Sequence, residues 1–455
     1  MKIIIGNCYS QLDGYTPELY EAMSVSFENY FYSPRYKMGL WDGQFHFLKI
    51  PSKRFPTGLL FVVTETCDAM GLPYEIVDMR TKPGGAIKDT GLANLLNGIT
   101  LRDYQEEAAV TALALERGCL EMATGSGKTE VAAAIIKLLG LRTLFLVHTK
   151  DLLRQTKERF ENRLGCSVGK FGEGQHDLDE KITVATVQSV SAFLKRDDKA
   201  AKDWLKSFQV MFLDECHHQS ASTWYRVGLL CTGAYYRFGL SGTIMRRDIL
   251  SNMKMLAIFG EPIYRLPASE LIERGYLAGI VVHMVKNPEV VTGRRWQDVY
   301  DQGIVHSDLR NQLILDLVKK EYWDGSRIMI LIRNIAHGEL FEKKLNDMNI
   351  PAVFLHGSTA SDVREGQKKA FDAEGDFVLI ASVIFQEGVD IPNTNVIIVA
   401  AGGKSEVAAI QRIGRGLRKK EDASPLVVYD FLDSSKWLKT HSSRRVAVYR
   451  KEKFV

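Results

Sequence analysis

Three groups of residues have types and spacings suited to phosphoryl transfer. Ala123-Thr124-Gly125-Ser126-Gly127-Lys128-Thr129 follows the apolar stretch Leu120 to Met122 and opens the helical run Glu130 to Leu139, the setting a phosphate-binding loop requires. Glycines allow a tight turn, so that backbone N–H groups of Thr124, Gly125, Ser126 and Gly127 face phosphate oxygens. Lys128 then reaches the β- and γ-phosphates, and Thr129 is placed to hold Mg²⁺. Met122 stands where the strict pattern has its first glycine. Asp214-Glu215-Cys216-His217 comes directly after the strand-like run Phe208 to Leu213, which sets two carboxylates at a strand's carboxyl end, where α/β sheets bind ligands. Asp214 suits Mg²⁺, and Glu215 suits polarising an attacking water. The third group is Gln411-Arg412-Ile413-Gly414-Arg415-Gly416-Leu417-Arg418, on a helix predicted to begin near Ser405. Its spacing puts Arg415 and Arg418 on one face, from which a guanidinium can meet a γ-phosphate. A basic face of this kind is also compatible with solvent or with a nucleic-acid backbone.

Taken in order, these groups resemble the superfamily 2 helicases and translocases, over nearly everything from Ile99 to Tyr429. Further strings match the same family. Leu101-Arg102-Asp103-Tyr104-Gln105 resembles its adenine-recognition segment, which implies that Gln105 reads the base edge, that Arg102 packs by the ring, and that ATP is used rather than GTP. Val147-His148-Thr149-Lys150 and Thr186-Val187-Gln188-Ser189 resemble the strings with which the family's first RecA-like lobe touches a nucleic-acid backbone, implying contacts from His148, Thr149, Lys150, Thr186 and Gln188. Ser241-Gly242-Thr243 resembles its coupling motif. His337-Gly338, His356-Gly357 and Ser382 with Glu387-Gly388-Val389-Asp390 resemble motifs of the second lobe, implying nucleic-acid contacts from His356 and Ser382 and ATP contacts from Gly388 and Asp390. The resemblance assigns Gln411, Arg415 and Arg418 to the ATP site. Upstream, Ser33-Pro34-Arg35-Tyr36 followed by Gly39-Leu40-Trp41-Asp42-Gly43 is similar to the N-terminal domain of the UvsW-type phage recombination helicases. That likeness implies a motor remodelling forks and four-way junctions by branch migration in recombination, replication or repair.

The elements that must position these residues follow from periodicity. Strands such as Thr143 to Val147 and Ile182 to Thr186 alternate with helices such as Asp151 to Asn162 from about 93 to 270, a parallel-sheet pattern. After a connecting stretch containing Glu273-Arg274-Gly275-Tyr276, a second lobe to about 440 repeats the alternation: Arg327 to Ile332, Ala352 to Leu355, Phe377 to Ala381, Asn395 to Ala400 and Pro425 to Tyr429. It has no phosphate loop of its own. One loop and distant arginines imply ATP in a cleft between the lobes, closing on binding and opening on hydrolysis. The expected fold is therefore α/β, two tandem RecA-like lobes with parallel sheets.

Residues 1 to about 92 read as a small α+β domain, ending in the linker-like Lys82-Pro83-Gly84-Gly85. Gln44-Phe45-His46-Phe47-Leu48-Lys49-Ile50 has strand alternation, and Asp42-Gly43 is a hairpin signal. Helices are expected near Pro17 to Tyr30 and Gly58 to Met70. Tyr30, Phe31, Tyr32, Tyr36 and Trp41 with Arg35 and Lys37 have the makings of a stacking and phosphate-binding surface. A domain this small needs its aromatics for burial, so about two-thirds of them are expected in the core, leaving Arg35, Lys37 and Lys53 as the better candidates for contact. At the other end, 441–455 reads as a basic tail. From Lys436 onward, seven Lys and Arg face the single acid Glu452, interleaved with Trp437 and Tyr449, suiting either a phosphate-neutralising arm or a solvated one.

With 455 residues and a net charge of +4, the chain has length for about three domains and no bulk charge announcing nucleic acid. No apolar run approaches about 18 residues and the N-terminus lacks a signal-peptide pattern, so the expectation is a cytoplasmic protein, in the host's cytoplasm if phage-encoded. Six cysteines without C-x-x-C spacing argue against structural zinc and a disulfide framework. A monomer with ATP and Mg²⁺ as cofactors and DNA as partner is expected. Rival readings are an RNA helicase, since backbone contacts carry no base information, the motor part of a restriction or chromatin-type complex, and a nonenzymatic ATP-gated clamp. Intact acids and arginines count against the last.

Overall fold

The computed structural model describes residues 1–84, 92–216, 221–242, 248–276, 279–373, 377–382, 394–403, 425–451 and 454. The chain divides into two compact units, Met1–Met122 with Ser126–Arg265 and Leu266–Val455 with Ala123–Gly125.

An eight-stranded sheet forms the middle of the first unit, in the order Gln175–His176, Gly169–Gly172, Ile182–Thr186, Thr143–Val147, Val210–Asp214, Tyr236–Ser241, Arg117–Met122, Pro262–Leu266. From Gly169–Gly172 through Arg117–Met122 every pairing is parallel. Thr143–Val147, Ile182–Thr186 and Val210–Asp214 are buried at every position, as strands covered on both faces must be, which is why their apolar runs do not alternate. The predicted strands Thr143–Val147 and Ile182–Thr186 stand unchanged, while the helix expected from Asp151 runs Lys150–Leu164. Register does the positioning. Strand Tyr236–Ser241 lies between the strand leading into the phosphate loop and the strand ending in Asp214, pairing Ser241 with Glu121 and Leu240 with Asp214. Loop and acids thus leave one edge of the sheet, with Ser241 between them.

Residues 1–84 build a four-stranded sheet ordered Arg54–Pro56, Tyr9–Leu12, Lys2–Ile5, Glu75–Asp78, with helices Pro17–Ala22 and Leu60–Ala69. The Asp42-Gly43 expectation is corrected. Strand Gln44–His46 pairs with Ser24–Ser26, so Asp42 and Gly43 end a long excursion rather than form a two-residue turn. The Asp42 carboxylate accepts from the Gln44 N–H at 3.0 Å and sits 2.6 Å from His46 Nε2, closing that excursion locally.

This region has its own sheet but not its own core. Phe47, Phe55, Leu59 and Val63 belong to one apolar cluster with Trp224, Val227, Ile258 and Phe259, and the Phe45 and Phe47 rings pack edge-on against Tyr225 at 6.0 and 6.1 Å. Gly58 permits the closest approach, since a Cβ there would lie 2.1 Å from the Leu256 carbonyl oxygen. Buried Arg237 donates to the Gly228 carbonyl at 2.9 Å and reaches Cys8 Sγ at 2.6 Å. Emptying such a site of one buried Phe costs about 3–5 kcal/mol, so residues 1–84 complete the first unit rather than hang from it.

In the second unit, six strands run Ile280–Asn287, Leu426–Asp433, Val396–Val399, Ile328–Ile332, Val378–Ser382, Ala352–Leu355, all parallel. Five match predicted strands to within a few residues. Ile280–Asn287 was hidden in what reads as a connector, although Ile280-Val281-Val282 is the β-branched run that signals a strand. The basic-tail expectation is corrected too. Lys436–Lys451 is a helix, and Arg445 and Tyr449 are fully buried, so neither belongs to a solvated or phosphate-gripping arm. Both units are α/β with parallel sheets. Among the described residues no helix is long and apolar enough to cross a membrane.

Candidate active site and nucleic-acid face

Gly127 caps helix Lys128–Leu139 at φ +81, a left-handed conformation that favours glycine. A Cβ there would also lie 2.4 Å from Gln105 Nε2. The carbonyl of the neighbouring Ser126 accepts from Gln105 Nε2 at 2.8 Å and from the Tyr104 hydroxyl at 3.0 Å. Two side chains from helix Asp103–Leu115 thereby fix the loop, and its N–H groups are left to the helix N-terminus, which favours anions. Ser126 Oγ is buried with no hydrogen-bond partner among the described residues, a donor suited to a phosphate oxygen. Lys128 Nζ donates to the Met122 carbonyl at 3.3 Å and lies 3.8 Å from Glu215 Oε1, which brings the loop and the acidic pair together.

Asp214 ends its strand buried, and its Oδ1 accepts from the Glu215 N–H at 3.0 Å. Burial first, then the Glu215 charge, push the Asp214 carboxyl above its ordinary range against the pull of Lys128 and His148. A buried acid beside a second acid is relieved by a cation, so the donor set fits Mg²⁺ held by Asp214 with Thr129 from the first turn of the helix. Glu215 sits at φ +48, a left-handed conformation costing a non-glycine residue about 1–3 kcal/mol. Glu215→Gln should leave equilibrium ATP binding near the parent value while turnover falls about 10²- to 10⁴-fold, the usual contribution of a positioned base. Measuring both on one preparation checks this. Equal loss of binding and turnover would make Glu215 only a counter-charge for Lys128.

Gln105 is buried, and its Oε1 accepts from the Arg102 N–H at 3.0 Å. An amide has two donors and two lone pairs, so one of each stays for an adenine edge after the bonds to Arg102 and Ser126. Arg102 is exposed, with Nη1 donating to the Tyr104 hydroxyl at 2.8 Å. Tyr104 was not singled out from the sequence, although it lies inside the same string; its hydroxyl links Arg102 to the phosphate loop.

Of the nucleic-acid candidates in the first unit, His148, Thr149 and Lys150 follow strand Thr143–Val147, while Thr186 ends and Gln188 follows its parallel neighbour Ile182–Thr186. Their side chains divide sharply. Thr149 Oγ1 caps helix Lys150–Leu164 by accepting from Leu152 N–H at 3.2 Å, and buried Thr186 caps Val187–Arg196 by accepting from Ser189 N–H at 3.3 Å. Each cap stabilises its helix by about 0.5–2 kcal/mol and sets a helix N-terminus at the end of its strand. Lys150 and Gln188 are exposed, and Gln188 Nε2 donates to the His148 carbonyl at 3.1 Å, tying the two strand ends.

Within the second unit, His356 and Ser382 end adjacent parallel strands. His356 Nδ1 pairs with Ser358 Oγ at 2.8 Å, whereas Ser382 Oγ is buried without a hydrogen-bond partner among the described residues. His337 is fully buried, its Nε2 2.8 Å from Asn311 Oδ1, and burial followed by the nearby Arg310 charge holds its pKa down at about 3. It is a neutral core residue. Thr243, Gly388, Asp390, Gln411, Arg415 and Arg418 lie outside the described residues.

Residues 98–246 match the family described as type III restriction enzyme, res subunit, and residues 310–420 match the helicase conserved C-terminal domain. The ATP-dependent DNA helicase uvsW of Enterobacteria phage T4 is 24% identical, over 96% of this chain and 94% of that one. The DNA 3'-5' translocase XPB2 of Sulfurisphaera tokodaii is 30% identical, over 72% and 81%. In fold, the chain is similar to a fragment of a putative HsdR subunit of a type I restriction enzyme from Vibrio vulnificus, with a TM-score of 0.58 at 23% identity, covering 86% of this chain and 72% of that one.

Proposed function

The chain belongs to the superfamily 2 helicases and is an ATP-dependent DNA helicase or translocase; from that premise we propose that it remodels branched DNA, forks and four-way junctions, by branch migration or unwinding in recombination, replication or repair. Hydrolysis is assigned to Lys128 and Thr129 on the phosphates and Mg²⁺, Asp214 on Mg²⁺, Glu215 on the attacking water, and Gln411, Arg415 and Arg418 on the charge of the transferring phosphoryl group. When bound, the divalent cation neutralises β- and γ-phosphate oxygens. Lys128, released from the Met122 carbonyl, adds a second positive charge there, and Glu215 at 3.8 Å orients water from the same side.

The observation that carries the branched substrate is a prominence on the N-terminal region. Tyr32, Met38 and Leu40 are 70%, 69% and 67% exposed, and Phe31 and Tyr36 also stand out, whereas about two-thirds of the aromatics here were expected in the core. Arg35 and Lys37 are exposed on the short helix Pro34–Lys37 between them. Exposed rings stack on unpaired bases at about 1–3 kcal/mol each, and the flanking charges neutralise phosphates. Strand-end contacts such as Lys150 and Gln188 read only the backbone, which is alike in duplex and branch. Base pairs that open as strands exchange at a branch point expose such bases, and an intact linear duplex does not.

The test is a combined Tyr32→Ala, Arg35→Ala, Lys37→Ala variant, because deleting residues 1–92 would expose the core shared with Trp224 and Phe259. Junction-to-duplex affinity should drop at least about tenfold at fixed salt, in line with one lost stack, with ATPase in the absence of DNA unchanged. An unchanged ratio would remove this surface from substrate selection.

A further inference from the structure

Strands Thr143–Val147, Ile182–Thr186 and Gly169–Gly172 are parallel neighbours, so the residues that follow them leave one edge of the sheet. The third of these strands ends in the tight turn Gly172-Glu173-Gly174, from which Gln175–His176 runs back antiparallel to it. Glu173 has φ +53 and Gly174 φ +83, the two left-handed positions of a hairpin turn that Asn-Gly or Gly-Gly fills most easily. A glutamate there holds a conformation that its Cβ opposes. The turn lies against the strand ends already described: a Cβ on Gly172 would be 2.8 Å from Leu153 Cδ2 and 3.4 Å from both Thr186 Oγ1 and Ser189 Oγ.

The Glu173 carboxylate is taken by two cations. Arg154 donates from Nε to Oε2 at 2.9 Å and from Nη2 to Oε1 at 2.5 Å, and Lys170 Nζ lies 2.8 Å from Oε2. Arg154 stands one turn beyond Lys150 on helix Lys150–Leu164, on the same face, and its side chain is half exposed. Hydrogen bonds from Arg154 first, and then from Lys170, outweigh burial and hold the Glu173 carboxyl down at about 2. An ion pair with a half-exposed partner contributes little to stability, too little to account for a strained glutamate at the turn. What it does is seat two oxygens in the fork of a guanidinium, the geometry with which arginine also grips a phosphate.

We propose that Arg154 and Lys170 form a further backbone-phosphate site for DNA, which the Glu173 carboxylate occupies in the phosphate's place when no strand is bound. The site extends the row of strand ends at Val147 and Thr186 to a third strand, two strand spacings or about 10 Å across the sheet edge. A DNA strand laid over these ends displaces Glu173 to reach the two cations. An internal competitor of this kind keeps the grip weak enough to release, as a motor stepping along a strand requires. The proposal rests on Lys150 and Gln188 as backbone contacts, and not on the branched substrate.

The experiment measures equilibrium binding of the full chain to a single-stranded oligothymidylate over a range of salt. Lys150→Ala comes first, and should weaken binding and flatten the slope of log K against log salt by about 0.7, the counter-ion release of one phosphate. Glu173→Gln should do the reverse, tightening binding about fivefold at about 0.1 M salt with a slope steeper by about 0.7. In an Arg154→Ala, Lys170→Ala background the same Glu173→Gln change should leave affinity and slope as they were. No gain in the parent, or an equal gain in both backgrounds as loss of any nearby acid would give, overturns the inference while leaving the Lys150 contact intact. Parent-like affinity and slope in Lys150→Ala overturn the strand-end face and the inference with it. Should Glu173→Gln not fold, Glu173→Gly removes the carboxylate where the backbone favours glycine and is put through the same cycle, with the same pattern expected and the same results counting against it.

Discussion

Lys128→Ala abolishes ATP turnover and leaves DNA binding close to the parent level. In the structure the ammonium is shared between the Met122 carbonyl and Glu215, a resting place from which a phosphate can take it without moving the helix. Removing it leaves the charge that develops on the phosphoryl group without its nearest fixed cation, a loss of at least about 10²- to 10³-fold for a single preorganised donor. DNA affinity should hold because the exposed candidates Lys150 and Gln188 leave other strands of the sheet. Turnover and fluorescence anisotropy on one DNA, at one salt concentration, check both halves of the expectation. Turnover near the parent level would displace the whole site.

Arg418→Ala separates catalysis from binding in a different way. Hydrolysis should fall about 10³- to 10⁵-fold, the range typical of an arginine that meets phosphoryl charge. ATP should still bind, because the base-side residues Arg102 and Gln105 and the loop from Thr124 to Lys128 do not include it. Equilibrium binding of ATP beside single-turnover hydrolysis distinguishes the roles. Parallel loss of both would make Arg418 a structural residue of the second lobe.

What was legible in the sequence was whatever local chemistry dictates. Val210–Asp214 and Thr143–Val147 are short apolar runs bounded by turn residues, and a strand buried on both faces leaves no other reading. Gly127 had to be glycine for its positive φ, and the loop around it could be placed for that reason. The aromatics Phe31, Tyr32 and Tyr36 read the other way: composition favours burying them, and only the long excursion between Ser26 and Gln44 shows that they stand out. Residues 1–92 read as a separate domain because Lys82-Pro83-Gly84-Gly85 has the composition of a linker, whereas the packing of Phe47 and Gly58 against Tyr225 and Leu256 joins positions about 180 to 200 apart in sequence, beyond any periodicity. Arg445 was taken for a tail charge for the same reason. Its partner Asp430 sits inside an apolar strand, and nothing local marks the two as a buried pair.

The measurement that bears most directly on a branched-DNA motor is steady-state ATP turnover at one ionic strength with single-stranded DNA, linear duplex, a fork, a four-way junction and RNA, run for the parent and for the Tyr32, Arg35, Lys37 triple-alanine variant. The account predicts strongest stimulation by the fork and the junction, with that excess over linear duplex lost in the variant while duplex stimulation remains. Equal stimulation by duplex and junction, or stronger stimulation by RNA than by any DNA, would contradict it.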